Sequence, residues 1–357
     1  MKQIKVLVVD DSAFMRQTIK AMIEEDPMLQ VVATARNGAD ALEKVIRFKP
    51  DVITLDIILP GDRDGLAVLH EIMSTRPTPT IMLSGASNET INYVIEAISS
   101  GAFDFICKPS GKPSDIARIE TELRIKIRQA AESATVRKET NNAAQIYQWE
   151  DLSGSGDIQN HSQLIIIGSS TGGPKALQAV IPQLSEHLPA PILIIQHMPP
   201  KFTKSLADRL NRNAKLPVKE AVNGEILKSG HVYIAPGGLH LCVSCNEQDH
   251  LCVDLSSSPP VNGVRPSIDV TLRSLAKLQG YSFIVALLTG MGKDGAKGVL
   301  ELYEAGKHVH TIAESEETCT VFGMPKAAIE TGRVNEIQPI YHIADAICRQ
   351  FGLRGDD

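Results

Sequence analysis

Short apolar segments recur along this chain, and each ends at polar or charged residues that lead into a helical pattern. In the first third of the chain the segments are 4–9, 31–33, 51–56, 79–84 and 103–108. Continuous apolar runs separated by helices are typical of parallel strands that are buried on both faces of a sheet. The pattern therefore predicts an α/β fold with a doubly wound parallel sheet over residues 1–125.

The second half of the chain repeats this pattern, with apolar segments at 164–168, 191–197, 281–290 and 308–313. Residues 230–256 look like an antiparallel insertion. Between the halves, residues 126–162 are rich in Asn, Gln, Ser and Glu, which is typical of a linker. For 357 residues, a prior of about 150 residues per domain gives two domains. We predict domains at 1–125 and 163–352, joined by that linker.

Charge and hydropathy argue against two classes of function. The chain has 36 Lys and Arg against 42 Asp and Glu, a net charge of −6, whereas sequence-independent binding of nucleic acid requires a dense positive face. No apolar run reaches the roughly 18 residues that span a bilayer. Residues 1–5 lack the apolar region of a signal peptide. We therefore expect a cytoplasmic protein that inserts into no membrane.

Three cysteines lie close together in the sequence, at Cys242, Cys245 and Cys252. The first two form a C-x-x-C pair, which fits half of a zinc site or a redox pair. No second C-x-x-C and no close pair of histidines follows to complete a ligand set. The flanking residues predict two strands of a hairpin, so we interpret these cysteines as structural.

Acidic and basic residues mark the strand ends of the first half. Asp10 and Asp11 follow the first strand, Asp56 ends the third, Ser84 ends the fourth and Lys108 follows the fifth. The carboxyl ends of parallel strands meet at one edge of a sheet. Clustered carboxylates repel each other unless a cation neutralises them, and hard oxygen ligands suit Mg²⁺. Together with a lysine, such a site can stabilise a phosphoryl group that is transferred to Asp56.

The stretches VVDDS, DVITLD, SGA and CKP resemble the receiver domain of two-component response regulators, over residues 1 to about 125. The resemblance implies a flavodoxin-like fold and a sensor histidine kinase as phosphodonor. It also implies roles for six residues. Asp56 is the phosphoacceptor, and Asp10 and Asp11 bind Mg²⁺ together with Asp56. Ser84, Lys108 and Phe105 are sensors of the phosphoryl group.

Two departures from the receiver pattern bear on the lifetime of the phosphorylated state. Three residues separate Pro60 from Asp64, where relatives usually have two, and Ile58 stands where a polar residue is common.

A candidate nucleophile lies in the second half. Residues 168–172 fit G-x-S-x-G, a sharp strand-to-helix turn that exposes the hydroxyl of Ser170. His197 and Asp294 follow two other strands, so the three residues are expected at one edge of one sheet, as a Ser–His–Asp relay requires. In such a turn the N–H of Thr171 is the usual oxyanion donor. The loop alone also fits a site for a nucleotide phosphate. Six other histidines of this half are interpreted as structural: His231, His240, His250, His308, His310 and His342.

Six stretches resemble, in order, the catalytic domain of the protein-glutamate methylesterases that act on chemotaxis receptors: IIIGSSTGG, QHMP, VYIAPGGLH, RPSID, LLTGMGKDGA and VFGMP. The resemblance implies a Rossmann-like domain, Ser170 as nucleophile, His197 as base and Asp294 as the acid that orients it. Met291 is implied as a second oxyanion donor. Relatives often have Gln-Asp where this chain has Glu314 and Ser315, a change expected at the rim of the substrate groove.

The implied reaction is hydrolysis of glutamate γ-methyl esters on receptor helices, with deamidation of glutamines, activated by phosphorylation of a receiver that otherwise covers the catalytic edge. No cofactor is expected in the esterase domain. Two alternatives stay open from the sequence. One is a non-catalytic binding module controlled by phosphorylation, and the other is the same esterase acting on a substrate outside chemotaxis.

Overall fold

The computed structural model describes residues 3–85, 88–109, 113–139 and 162–353. The chain divides into two compact units, Met1–Gln145 and Ile146–Asp357, called here the N-terminal and C-terminal units. No helix among the described residues is both long and apolar enough to cross a bilayer.

The N-terminal unit is a five-stranded parallel sheet in the order β2-β1-β3-β4-β5, which is the flavodoxin-like order. Helices alternate with its strands, and the predicted α/β fold is confirmed. The strands are β1 (Ile4–Val9), β2 (Leu29–Ala35), β3 (Val52–Asp56), β4 (Thr80–Ser84) and β5 (Asp104–Cys107). The helices are α1 (Ala13–Glu24), α2 (Gly38–Phe48), α3 (Gly65–Thr75), α4 (Asn88–Ser99) and α5 (Pro113–Glu139).

Local capping explains where three of these helices begin. Ser12, Asn37 and Asp64 precede α1, α2 and α3, and each side chain accepts a hydrogen bond from a backbone N–H of the first turn. Such caps satisfy N–H groups that the helix itself leaves unpaired. They fix the loops that follow β1, β2 and β3, and thus the residues at the carboxyl edge of the sheet.

Helix α5 continues to Glu139, well into the segment 126–162 that was predicted to be a linker. Arg124 of α5 donates to Glu25 at 3.0 Å, and Arg128 pairs with Asp26. These contacts hold α5 against the end of α1 beyond the predicted domain boundary at residue 125. The rest of the predicted linker, residues 140–161, lies outside the described residues.

The C-terminal unit has a seven-stranded parallel sheet in the order β14-β13-β12-β6-β7-β9-β8. Its strands are β6 (Ser162–Ser169), β7 (Ile192–Gln196), β8 (Val218–Glu220), β9 (Val232–Ile234), β12 (Tyr281–Leu287), β13 (His308–Glu314) and β14 (Glu336–Gln338). Its helices are α6 (Gly173–Val180), α7 (Phe202–Asn211), α8 (Ile268–Leu275), α9 (Ala296–Glu304), α10 (Met324–Glu330) and α11 (Ile343–Arg349). Short 3₁₀ helices span Ile181–Gln183 and Ile340–His342.

The predicted antiparallel insertion is confirmed for β10 (His240–Cys245) and β11 (Leu251–Ser256), which pair as a hairpin. The segment 232–234 is different, because as β9 it joins the parallel sheet next to β7. The three clustered cysteines lie on the hairpin as free thiols. Leu241, Val243 and Val253 pack from the hairpin into the core of this unit.

Substitution of Gly65 tests the packing at the carboxyl edge of the N-terminal sheet. A Cβ at this position would overlap the carbonyl oxygen of Asp56, whereas a Cβ at Gly85 would meet nothing within 4 Å. We expect Gly65→Ala to lower the free energy of unfolding of this unit by about 1–3 kcal/mol, and Gly85→Ala by less than about 0.5 kcal/mol. Calorimetry of the full chain measures both, and equal losses would contradict the packing described here.

Candidate functional site

An acidic cluster occupies the carboxyl edge of the N-terminal sheet. Asp10 and Asp11 follow β1, Asp56 ends the neighbouring strand β3, and carboxylate oxygens of the three lie within 4.8 Å of one another. The strand order reverses at this pair of strands, where open α/β sheets form their ligand sites. Asp10 and Asp56 are buried and Asp11 is exposed, so the cluster has an open side.

Lys108 brings a positive charge into this cluster. Its Nζ lies 2.7 Å from Asp10 Oδ2 and 2.6 Å from Asp56 Oδ2. Burial raises the pKa of Asp56 and outweighs the lowering effect of Lys108. Burial alone would lower the pKa of Lys108, but its bonds to the two carboxylates raise it overall. The ammonium therefore stays charged and offsets part of the repulsion between the acids.

The donor set of the cluster fits Mg²⁺. This ion binds hard oxygen ligands, takes only a few carboxylates from a protein and keeps several waters. Two buried carboxylates with a third on the open side supply such a set. Asp10, Asp11 and Asp56 are the residues that would hold the ion.

The other two residues predicted for this site lie on neighbouring strands. Ser84, at the end of β4, donates its hydroxyl to Gly85 O at 2.7 Å rather than to Asp56. Phe105 is buried in β5, and Lys126 Nζ lies 5.5 Å from the centroid of its ring. In the described conformation both side chains are therefore engaged outside the acidic cluster.

The second site forms where the strand order of the C-terminal sheet reverses. Strand β6 lies between β12 and β7. Ser170 follows β6, His197 follows β7, and Asp294 lies in the loop after β12. His197 Nε2 lies 2.8 Å from Asp294 Oδ2. Among the described residues, no hydrogen bond joins the Ser170 hydroxyl to the imidazole.

Gln196 fixes the backbone on which two of these residues stand. Its Nε2 donates to Ser170 O at 3.0 Å and to His197 O at 3.2 Å. Its Oε1 accepts from the Ser169 hydroxyl at 2.6 Å. The buried amide of Gln196 therefore connects the Ser170 turn to the end of β7, which His197 follows. Gln196 was not among the predicted site residues, because a glutamine at a strand end has no distinctive spacing.

Asp294 is buried at 2 % exposure and is surrounded by donors at the N-terminus of α8. Ile268 N donates to Oδ2 at 2.7 Å, and Asp269 N and the Ser267 hydroxyl donate to Oδ1 at 3.2 and 2.8 Å. Burial alone would raise the pKa of Asp294, but the hydrogen bond and charge of His197, helped by these donors, lower it to about 2. Asp294 is therefore a fixed anion beside the imidazole.

Models of known protein families match residues in both units of the chain. Residues 165–347 match the CheB methylesterase family, and residues 6–120 match the response regulator receiver domain. The chain belongs to the CheB methylesterase family. The motif-based prediction of this family, with a receiver on its N-terminal side, is confirmed.

Relatives of this CheB methylesterase family member extend over the whole chain. Proteins named protein-glutamate methylesterase/protein-glutamine glutaminase are 44% identical over 98% of this chain in Oceanobacillus iheyensis and 45% identical over 99% in Geobacillus kaustophilus, and the match covers 100% of each relative. The crystal structure of the Thermotoga maritima CheB methylesterase catalytic domain is 46% identical, with a TM-score of 0.50, and the match covers 52% of this chain and 97% of that one.

In this CheB family member, the loop after β12 lies against the turn that carries Ser170. Ser170 N donates to Thr289 O at 3.0 Å, and a Cβ at Gly290 would lie 2.8 Å from Ser170 Cβ. Within the described part of the chain, the N–H groups of Met291 and Thr171 donate to no other residue. Both N–H groups that were predicted as oxyanion donors are therefore unengaged within the described part of the chain.

Glu314 was expected at the rim of the substrate groove, and this expectation was wrong. The side chain is buried at 1 % exposure, and Oε2 accepts from Thr289 N at 2.7 Å. Oε1 accepts from the Thr318 hydroxyl at 2.9 Å. As the last residue of β13, next to β12, it bonds inward to the loop that carries Gly290, so it supports the floor of the site.

The low pKa of Asp294 predicts a pH-dependent contribution to stability. Because the folded pKa of about 2 lies below the unfolded value of about 3.9, the contribution is present above pH 4 and is lost as the pH falls through 2. At about 1.4 kcal/mol per pKa unit, the full contribution amounts to about 2–3 kcal/mol. Between pH 5 and pH 2.5, Asp294→Asn should lose correspondingly less stability than the parent, as measured by urea unfolding. Equal losses in both proteins would contradict the low pKa.

Proposed function

We propose that this chain hydrolyses glutamate γ-methyl esters on chemoreceptors, and deamidates glutamines there, by acyl transfer through Ser170 under the control of phosphorylation at Asp56. The observation that carries this proposal is the 2.8 Å bond between His197 Nε2 and a buried Asp294, one strand away from the Ser170 turn. The names of the full-length relatives support the choice of substrate.

The histidine tautomer follows from that bond. An ionised Asp294 only accepts hydrogen bonds, so His197 Nε2 carries the proton and Nδ1 has the free lone pair. This reverses the nitrogens of the trypsin-type triad, in which Nδ1 faces the aspartate. Nδ1 is thus the atom that takes the Ser170 proton once the substrate orders the hydroxyl, since such bonds often tighten only in the substrate complex.

The reaction then proceeds in two acyl transfers. Ser170 Oγ attacks the ester carbonyl, and its proton moves to His197 Nδ1. The C–OCH₃ bond breaks, the imidazolium returns the proton, and methanol leaves. Water attacks the acyl-enzyme by the same proton path and releases glutamate and free Ser170. For a glutamine, the leaving group is ammonia.

The backbone supplies the oxyanion donors in this mechanism. The N–H groups of Thr171 and Met291 flank the nucleophile from two loops that Gln196, Thr289 and Glu314 hold together. Removing one such donor from an acyl-transfer enzyme slows it by roughly 10²–10³. The glycine at position 290 lets the second loop approach Ser170 closely.

The N-terminal unit serves as the phosphorylation switch. Asp56 accepts a phosphoryl group from a sensor histidine kinase, and bound Mg²⁺ would offset the charge on the transferring group. Lys108, already 2.6 Å from Asp56, pairs with the product, while Ser84 and Phe105 rearrange around it. The proposal places the protein in the cytoplasm, with receiver at 1–125 and catalytic domain at 163–352.

A serine-directed phosphonate tests the nucleophile. We expect covalent labelling of Ser170 and loss of labelling and esterase activity in Ser170→Ala, with an unchanged unfolding temperature. Mass spectrometry locates the adduct, and the neighbouring Ser169 is the internal control, because it is buried and bonded to Gln196. Labelling at Ser169, or full activity in Ser170→Ala, would refute the assignment and favour a binding module.

A small phosphodonor tests the switch. Acetyl phosphate with Mg²⁺ should raise the rate of methanol release from methylated receptor membranes. Asp56→Asn and chelation of Mg²⁺ should each abolish the increase without lowering the basal rate. Asp62→Asn is the matched control, because Asp62 is exposed and lies outside the acidic cluster. An increase that survives Asp56→Asn would contradict phosphorylation at this residue.

A further inference from the structure

Two buried residues outside the predicted triad continue its hydrogen-bond chain. Ser267 and His240 are both 0 % exposed. The Ser267 hydroxyl donates to Asp294 Oδ1 at 2.8 Å, and Ser267 N donates to His240 Nδ1 at 3.2 Å. His240 Nε2 in turn donates to Pro259 O at 3.1 Å. A continuous chain of bonds therefore runs from His197 through Asp294 and Ser267 to His240.

The donor and the acceptor in each hydrogen bond of His240 follow from its partners. Ser267 N can only donate, so His240 Nδ1 is unprotonated, and Pro259 O can only accept, so Nε2 carries the proton. His240 is thus a neutral imidazole in a single tautomer, with both nitrogens bonded. It differs in this respect from a histidine that merely fills space.

Ser267 occupies the cap position of α8, yet it does not act as a helix cap. A capping serine accepts a hydrogen bond from the first turn of its helix, whereas this hydroxyl makes no such bond. Asp294 instead accepts from Ile268 N and Asp269 N. The cap function has moved to Asp294, and the serine hydroxyl is committed to holding that carboxylate.

We propose that Ser267 and His240 are positioning residues for the esterase reaction, which hold the Asp294 carboxylate in the rotation that orients His197. The Ser267 bond is the shortest of three on Oδ1, ahead of those from Asp269 N at 3.2 Å and Asn262 Nδ2 at 3.4 Å. It restrains rotation of the carboxylate, so that Oδ2 stays on His197 Nε2. His240 fixes the Ser267 backbone and ties it to the loop at Pro259. This inference rests on the proposed function.

The first experiment compares Ser267→Ala with Ser267→Thr, which keeps the hydroxyl. We expect Ser267→Ala to lower kcat by about 10- to 100-fold, the range seen when partners behind metal ligands are removed, with little change in KM. Ser267→Thr should restore most of the rate. Ser274→Ala is the matched control, because Ser274 lies on the same helix and bonds to Val243 N and Thr271 O, away from Asp294. Its kcat should equal that of the parent.

A double-mutant comparison separates positioning from general structural support. If Ser267 and His240 act through Asp294, then Ser267→Ala and His240→Leu should lower kcat in the parent but add no loss in an Asp294→Asn background. His240→Asn, which can offer an acceptor to Ser267 N, should lose less than His240→Leu. Equal losses in both backgrounds would overturn the proposal.

Proton NMR provides a readout that does not depend on activity. The proton on His197 Nε2, identified by its absence in His197→Gln, should resonate at low field in the full chain and move upfield in Ser267→Ala and His240→Leu. An unmoved resonance would overturn the inference. If the parent shows no esterase activity but the resonance moves as described, the proposed function and the positioning role in it both fail, and only the hydrogen-bond coupling of Ser267 and His240 to His197 through Asp294 stands.

Discussion

The C-terminal site depends on keeping one carboxylate ionised inside the protein. A buried anion without partners is so costly that it normally becomes protonated. Asp294 stays ionised because the imidazole of His197, two N–H groups of α8 and the Ser267 hydroxyl all donate to it. The positive end of the helix dipole acts in the same direction. Each of these donors also fixes the position of the loop after β12, so the anion organises the backbone that surrounds it.

A second carboxylate, that of Asp269, lies beside Asp294, and its pKa is shifted in the opposite direction. Asp269 is buried beside Asp294 and accepts from Gly295 N and Gly298 N at 2.9 and 2.7 Å. Burial, together with the charge of Asp294, raises its pKa, whereas the pKa of Asp294 is lowered. When two acids share a site, one usually ionises at the expense of the other. Here the acid that contacts the histidine is the one whose pKa is lowered.

The sequence predicted the positions of the strand ends, but not the hydrogen-bond networks of the side chains around them. Asp10, Asp56, Ser170 and His197 were found because apolar runs reveal where parallel strands end, and parallel strands end at one edge. Gln196 and Ser267 were missed, and Glu314 was expected at the rim rather than beneath the site, because their roles depend on how loops fold back, which no periodicity encodes. Strands β8, β9 and β14 have three residues each, too few to show a period. Helix α5 extends into the predicted linker because Ala, Glu, Arg and Lys favour a helix without forming a core.

The two units use a buried carboxylate beside a cation in opposite ways. Asp294 has donors on both oxygens, which hold it still and lower its pKa. Asp56 has the ammonium of Lys108 on Oδ2 and a single long bond, at 3.3 Å, from Ile58 N on Oδ1, and its pKa is raised. A carboxylate that must attack a phosphoryl group needs an uncrowded oxygen, and its countercharge must be able to move. A carboxylate that orients a base needs the reverse. The difference in donor number therefore agrees with the roles proposed for Asp56 in phosphoryl transfer and for Asp294 in orienting a base.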